Sequence, residues 1–273
     1  MGSSVKWERL AGEAFDLGTH KVNLYMALQG FPDDCALIEI SREELRNAID
    51  SETAAALGHA LDELDKRPGV RVVFMTGRGH KAFVSGGDLR EYTAKLADEA
   101  QVLSALGQMR QVLWRLYIGA RFAVAVLNGP ARGGGSELAF SCHYRLFQKG
   151  ASFGFVQATQ GIPPGWGGGT LLTERMGQAR ARLALMSGAV FDAQEALRLG
   201  FADEVADSDE RLVERMRHLA MLFAHSTTAG MAAVQGLLST ESDRLYERMV
   251  EESMACARLW FAPEHAAVLA KYK

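Results

Sequence analysis

The chain has 273 residues, with 30 Lys+Arg against 33 Asp+Glu, a formal net charge of −3 and 48% hydrophobic residues. That apolar fraction excludes a disordered chain, and the near-neutral balance provides no field for a polyanion, so nucleic acid is not an expected partner. The length suits one large domain, or a domain with an appendage.

The amino terminus, Met1-Gly-Ser-Ser-Val-Lys-Trp-Glu-Arg-Leu10, carries neither the apolar run of a secretion signal nor an Arg-rich, acid-free transit peptide. No stretch approaches the roughly 18 uninterrupted apolar residues of a membrane span. A cytoplasmic location without membrane attachment is expected. Cys35, Cys142 and Cys256 lie far apart without Cys/His ligand spacing, so reduced thiols are expected and a metal site is not.

Along the chain, short apolar runs alternate with longer amphipathic ones. Cys35–Ile40 reads as a buried strand, and Ala54, Leu57, Leu61 and Leu64 mark a helix over 51–66 that ends before Pro68-Gly69. Arg71–Thr76 is a second strand, 98–118 a second helix and Phe122–Leu127 a third strand. Strand, helix, strand, helix, strand is the pattern of parallel crossover units, hence an α/β core. After about residue 190 the pattern turns helical: Ala193–Leu199, Asp209–Phe223, Ala229–Leu238 and Ser242–Phe261 read as helices with no strand among them. The acidic stretch 201–212 reads as a solvated turn. Two regions follow, a core over 1–195 and a helical region over 196–273 whose apolar residues are expected to pack on the core or on another subunit.

Glycine is over-represented, with 28 Gly against 6 Pro, and the excess falls in three loops. Lys81-Ala-Phe-Val-Ser-Gly-Gly-Asp-Leu-Arg90 follows the second strand, where Gly86-Gly87 can turn backbone N–H groups toward a ligand. Asn128-Gly-Pro-Ala-Arg-Gly-Gly-Gly-Ser-Glu-Leu138 follows the third; its glycines open a helix whose free N–H groups favour an anion, with Glu137 one turn in. The third loop contains Gly161-Ile-Pro-Pro-Gly-Trp-Gly-Gly168, which brings backbone and the Trp166 indole toward a cleft. None of the three has the dinucleotide-binding spacing or a phosphate-loop lysine. Two separate loops that each present a glycine N–H, at Gly87 and at Gly134, suit an oxyanion hole, which needs two donors converging on one carbonyl oxygen.

The ordered set A-F-x-x-G-x-D-L (82–89), N-G-x-x-x-G-G-G-x-E-L (128–138) and G-x-x-P-x-x-G-G (161–168) resembles the crotonase (enoyl-CoA hydratase/isomerase) superfamily over about residues 30 to 273. The resemblance implies a spiral core of ββα repeats, a C-terminal helical region that trimerises and covers the active site, and an assembly that is a homotrimer or a dimer of trimers. It implies acyl-CoA thioester chemistry with no cofactor, since the coenzyme A thioester is itself the substrate. The N–H groups of Gly87 and Gly134 would hold the thioester oxygen. Lys81, Phe83 and Ser85 would lie along coenzyme A, Arg46 or Lys271 would meet its phosphates, and Trp166 would border the acyl pocket. Glu137 would be the acid/base.

Gln157 departs from the family pattern. Hydratases of the family carry a second glutamate twenty residues beyond the first, and an amide cannot titrate. A neutral group suits a malonyl-type substrate, because a second fixed anion 4 Å from the acyl carboxylate would repel it by about 4 kcal/mol at an effective dielectric near 20. The segments around Gln157 and Leu259-Trp-Phe-Ala-Pro263 look most like the ethylmalonyl-CoA decarboxylase branch, which implies CO₂ loss from ethylmalonyl- or methylmalonyl-CoA through a thioester enolate. The alternatives are hydration or double-bond isomerisation of an enoyl-CoA with Glu137 as sole acid/base, and a non-catalytic acyl-CoA-binding subunit. A packing role is expected for His143, where the family usually has aspartate. The stretch Ser41–Ala48 lacks the proline that in this family usually follows its arginine, which bears on the assignment of Arg46 to the coenzyme A phosphates.

Overall fold

The structure, a computed structural model, describes Leu10 and residues 12–272. The reading of the first nine residues therefore lies outside the described residues.

The chain opens with two antiparallel strands, β1 (Glu13–Phe15) and β2 (Val22–Met26), that lead into β3 (Cys35–Ile40). Helix α1 (Ser51–Asp65) follows, started by the Asp50 side chain accepting from the Thr53 N–H. Its buried face carries Ala54, Leu57, Leu61 and Leu64, the residues whose spacing predicts it. Next come β4 (Val72–Gly77), α2 (Leu89–Lys95), α3 (Glu99–Ile118), β5 (Phe122–Leu127), the two-residue β6 (Ala131–Arg132), α4 (Gly134–Ser141) and β7 (Tyr144–Gln148). The middle of the chain continues with β8 (Ser152–Gly154), α5 (Gly168–Ser187), β9 (Phe191–Asp192), α6 (Ala193–Leu199) and β10 (Glu204–Ala206). Helices α7 (Asp209–Leu222), α8 (Thr228–Leu238), α9 (Ser242–Leu259) and α10 (Pro263–Leu269) complete it.

The main sheet has the order β1-β2-β3-β4-β5-β7-β10 and is parallel from β3 onward. Every residue of β3 and β4 is buried, as a sheet covered on both faces requires. A small second sheet, β6-β8-β9, lies after the third strand of the core. The α/β class with a helical C-terminal region is the expected one. One expectation is corrected. Strand β10 lies inside the segment read as a solvated turn; three residues are too few to show a period, and their pairing with β7 comes from tertiary contact alone. The C-terminal helices pack on this chain's own core, one of the two placements expected: Leu245, Met249, Cys256, Ala257, Trp260 and Leu269 share one hydrophobic cluster with the sheet. Helix α8 is the exception, with no buried residue and with Val234, Leu237 and Leu238 exposed.

Strands β4 and β5 are parallel neighbours, so the loops that leave their carboxyl ends emerge side by side. A bridge between Val84 and Ala131 ties those loops together, and a bridge between Ile49 and Gly87 fixes the first of them against the start of α1. This juxtaposition is what brings two glycine loops, distant in sequence, to one place.

Candidate active site

A cavity of about 490 Å³ opens where these loops meet. Gly87, Gly134, Glu137, Gln157 and Trp166 all line it, so five of the residues singled out in the sequence converge. The N–H groups of Gly87 and Gly134 have no hydrogen-bond partner among the described residues. At Gly87 the bridge to Ile49 uses the flanking groups, Ile49 N–H to Gly86 O and Asp88 N–H to Ile49 O, which leaves the Gly87 donor unspent. Gly134 is the first residue of α4, where an N–H lacks an intrahelical acceptor. Only glycine fits there, since a Cβ would overlap the Trp166 ring.

Glu137 projects from the first turn of α4 and is 2% exposed. Its Oε2 accepts from the Trp166 N–H (2.8 Å) and the Gly168 N–H (2.9 Å), and its Oε1 from the Gly165 N–H (3.2 Å) and from Gln157 Nε2 (2.9 Å). The third glycine loop thus acts as a cradle for this carboxyl group. Gly167, at φ 90°, makes the turn that aims these donors, a conformation that side-chain-bearing residues rarely adopt. Burial pushes the Glu137 carboxyl up from an ordinary 4.5 to about 8, reinforced by the charge of Glu252 and opposed by the three backbone donors.

A group raised in this way binds a proton in the folded state that the unfolded chain releases. Its stabilising contribution is complete below pH about 4.5 and is lost as pH rises to about 8. Urea-unfolding midpoints measured at pH 5 and pH 8.5 are expected to fall more steeply for the native chain than for Glu137→Gln. Parallel pH dependences would contradict this assignment.

Gln157 lies in the 3-10 turn Val156–Gln160 and is buried. Its Nε2 is committed to Glu137, and its Oε1 is a buried acceptor with no partner among the described residues. Trp166 combines two functions, since its N–H serves Glu137 while its ring borders the cavity and covers Gly134.

The expected coenzyme A residues separate. Arg46, in the left-handed region at φ 53°, and Ser85 line the cavity. Lys81 is exposed and outside the lining, as is Lys271, although its neighbour Tyr272 reaches it. Phe83 is corrected: its side chain is fully buried in the hydrophobic core, between the equally buried Ala82 and Val84, and lies outside the cavity lining, so it is a packing residue rather than a side-chain contact for a ligand. Arg90 and Arg132 also line the cavity, and neither they nor Arg46 have an ion-pair partner among the described residues. His143 is away from the cavity. Its Nδ1 accepts from the Ala123 N–H and its Nε2 donates to Tyr117 O, and burial followed by the Arg175 charge pushes it down to about 4, which fits the packing role.

Sequence reasoning missed Glu252. It accepts from the Gly169 N–H (3.0 Å), the Thr170 N–H (2.6 Å) and Thr170 Oγ1 (2.7 Å), adjacent to the donors that serve Glu137.

Comparison with known proteins agrees with this geometry. The family model described as "Enoyl-CoA hydratase/isomerase" matches residues 30–261. The chain is 31% identical to the crotonyl-CoA hydratase of Syntrophomonas wolfei subsp. wolfei over 212 residues, 77% of this chain and 81% of that one. It is 31% identical to a probable enoyl-CoA hydratase of Bacillus subtilis over 202 residues, 74% and 77% of the two chains. The crystal structure of an enoyl-CoA hydratase from Bacillus halodurans superposes with a TM-score of 0.83 at 22% identity over 92% of this chain and 99% of that one, a likeness of fold.

Proposed function

The chain belongs to the enoyl-CoA hydratase/isomerase family, and on that premise we propose that it hydrates a short enoyl-CoA, with Glu137 as its one acid/base and Gln157 as the residue that positions the water. The observation that carries this reading is the state of Gln157. Its amide nitrogen is held by Glu137 while its oxygen, buried beside the cavity, has no donor among the described residues. A water there donates one hydrogen to Gln157 Oε1 and the other to Glu137 in its ionised form, which removes it as the oxygen adds to C3 of the enoyl group. The 3.2 Å contact from Gly165, the longest of the four on Glu137, is the one the incoming proton displaces. Negative charge moves onto the thioester oxygen, where the Gly87 and Gly134 N–H groups receive it. Glu137 then returns its proton to C2, so one carboxyl group completes both transfers. Arg46, Arg90 and Arg132 supply the positive rim for coenzyme A phosphates, with Ser85 beside the pantetheine.

Decarboxylation of a malonyl-type thioester fits less well. Its carboxylate would face an acceptor oxygen on Gln157, with Glu137 beside it and Glu252 behind, the repulsion that a lone neutral amide would avoid. The similar proteins carry hydratase names, which supports the same preference. The test is loss of the conjugated thioester absorbance of crotonyl-CoA beside CO₂ release from ethylmalonyl- and methylmalonyl-CoA. Hydration that falls in Gln157→Leu is the expected result; CO₂ release without hydration would overturn the reading. Assembly as a trimer is part of the proposal, supported by the exposed apolar face of α8, with light scattering as its check.

A further inference from the structure

Two carboxylates share one helix end. The Gly168 N–H goes to Glu137, and the next two N–H groups, of Gly169 and Thr170, go to Glu252 on α9. Immediately after Glu252, Ser253 donates to Gly165 O (2.7 Å) and itself receives Arg110 Nη1 from α3 (2.8 Å). Helix α9 thus holds both ends of the 165–170 loop, through a carbonyl at its start and two N–H groups at its finish. The same loop sends three N–H groups to Glu137.

We infer that Glu252 is a positioning residue for Glu137: it anchors the loop that cradles the Glu137 carboxyl group and, through its charge, governs how tightly Glu137 holds its proton. The inference rests on the proposed acid/base role of Glu137 only for its catalytic consequence. Among the described residues, Cys256 on α9 is the titratable side chain set against both carboxylates, while Arg248 on α9, Glu174 on α5 and Arg110 on α3 lie on the helices that flank them. Arg248 is turned to Glu174 (3.6 Å) and Arg110 to Ser253, so no cation among the described residues forms an ion pair with either carboxylate. Glu137 accepts from four donors and Glu252 from three, the Thr170 hydroxyl among them. The charge of either carboxylate opposes ionisation of the other. Burial raises the Glu252 carboxyl as well, against the donors of Thr170 and Gly169.

The experiment is a carboxyl titration by NMR of protein labelled with ¹³C at the glutamate carboxyl carbon, beside the pH dependence of crotonyl-CoA hydration. Glu252→Gln is expected to lower the Glu137 midpoint by about one pH unit, tenfold in proton affinity, whereas Glu252→Asp, which keeps the charge, is expected to restore most of it. Coupling is reciprocal, so Glu137→Gln is expected to lower the Glu252 midpoint by a similar amount, a measurement that stands even where Glu252→Gln does not fold. Unmoved midpoints in both variants would overturn the inference. Midpoints that move in a protein without hydratase turnover would uphold it while removing the proposed function.

Discussion

Replacing Glu137 by glutamine is expected to lower kcat for enoyl-CoA hydration by about three orders of magnitude, within the usual worth of a positioned acid/base, with KM little changed. Glu137 is the carboxyl group of the lining that faces Gln157, and nothing else in the proposed water site can take a proton. The isosteric change also carries a structural cost. Both Glu137 oxygens accept backbone N–H groups, so the new amide nitrogen opposes a donor in either orientation. A loss of about 1–3 kcal/mol in stability is expected from that mismatch. Steady-state kinetics and thermal unfolding check the two effects separately; turnover within tenfold of the native chain would contradict the role.

Gly134→Val is expected to cost about 10²–10³ in kcat through loss of one oxyanion donor. The added side chain would occupy the space of the Trp166 ring, so either the indole or the start of α4 must move. Moving the indole disturbs the cradle as well, because the Trp166 N–H is bound to Glu137. Gly150→Ala is the control: a Cβ there meets nothing within 4 Å, and activity is expected to remain that of the native chain. Equal kinetics in the two variants would remove the Gly134 donor from the mechanism.

The legible part of this protein lay where function depends on backbone. Cys35–Ile40 and Phe122–Leu127 appear in the structure with the bounds their apolar runs predict. The glycines at 86–87, 133–135, 165 and 167–168 mark places where main chain approaches ligand or carboxylate, and an absent side chain is visible in a sequence. Glu137 and Gln157 followed from their positions in the family-like motifs. What escaped was set by long-range contact. Glu252 sits on an amphipathic helix rich in acidic residues, and nothing in its neighbours separates it from Glu247 or Glu251. Only the packing of α9 on α5 gives it a role. Strands β6, β8, β9 and β10 have two or three residues each, too short for a period to emerge. The Phe83 error has a similar origin, since loop composition does not reveal which side chain turns into the core.

Glu252 also changes the argument from Gln157. Read along the chain, Gln157 marks the loss of a second carboxylate and favours a substrate carrying its own. In the fold a second carboxylate reaches the same helix end from α9, and Gln157 turns its nitrogen to Glu137 and leaves its oxygen for a donor.

The central claim is that water, not CO₂, is the small molecule exchanged at Glu137. Incubating the protein in ¹⁸O-labelled water with a pool of short enoyl- and malonyl-type coenzyme A thioesters, and reading the products by mass spectrometry, tests it most directly. The expected result is gain of one labelled water by an enoyl thioester, abolished in Glu137→Gln; loss of CO₂ from a malonyl-type thioester with no water gained would contradict it.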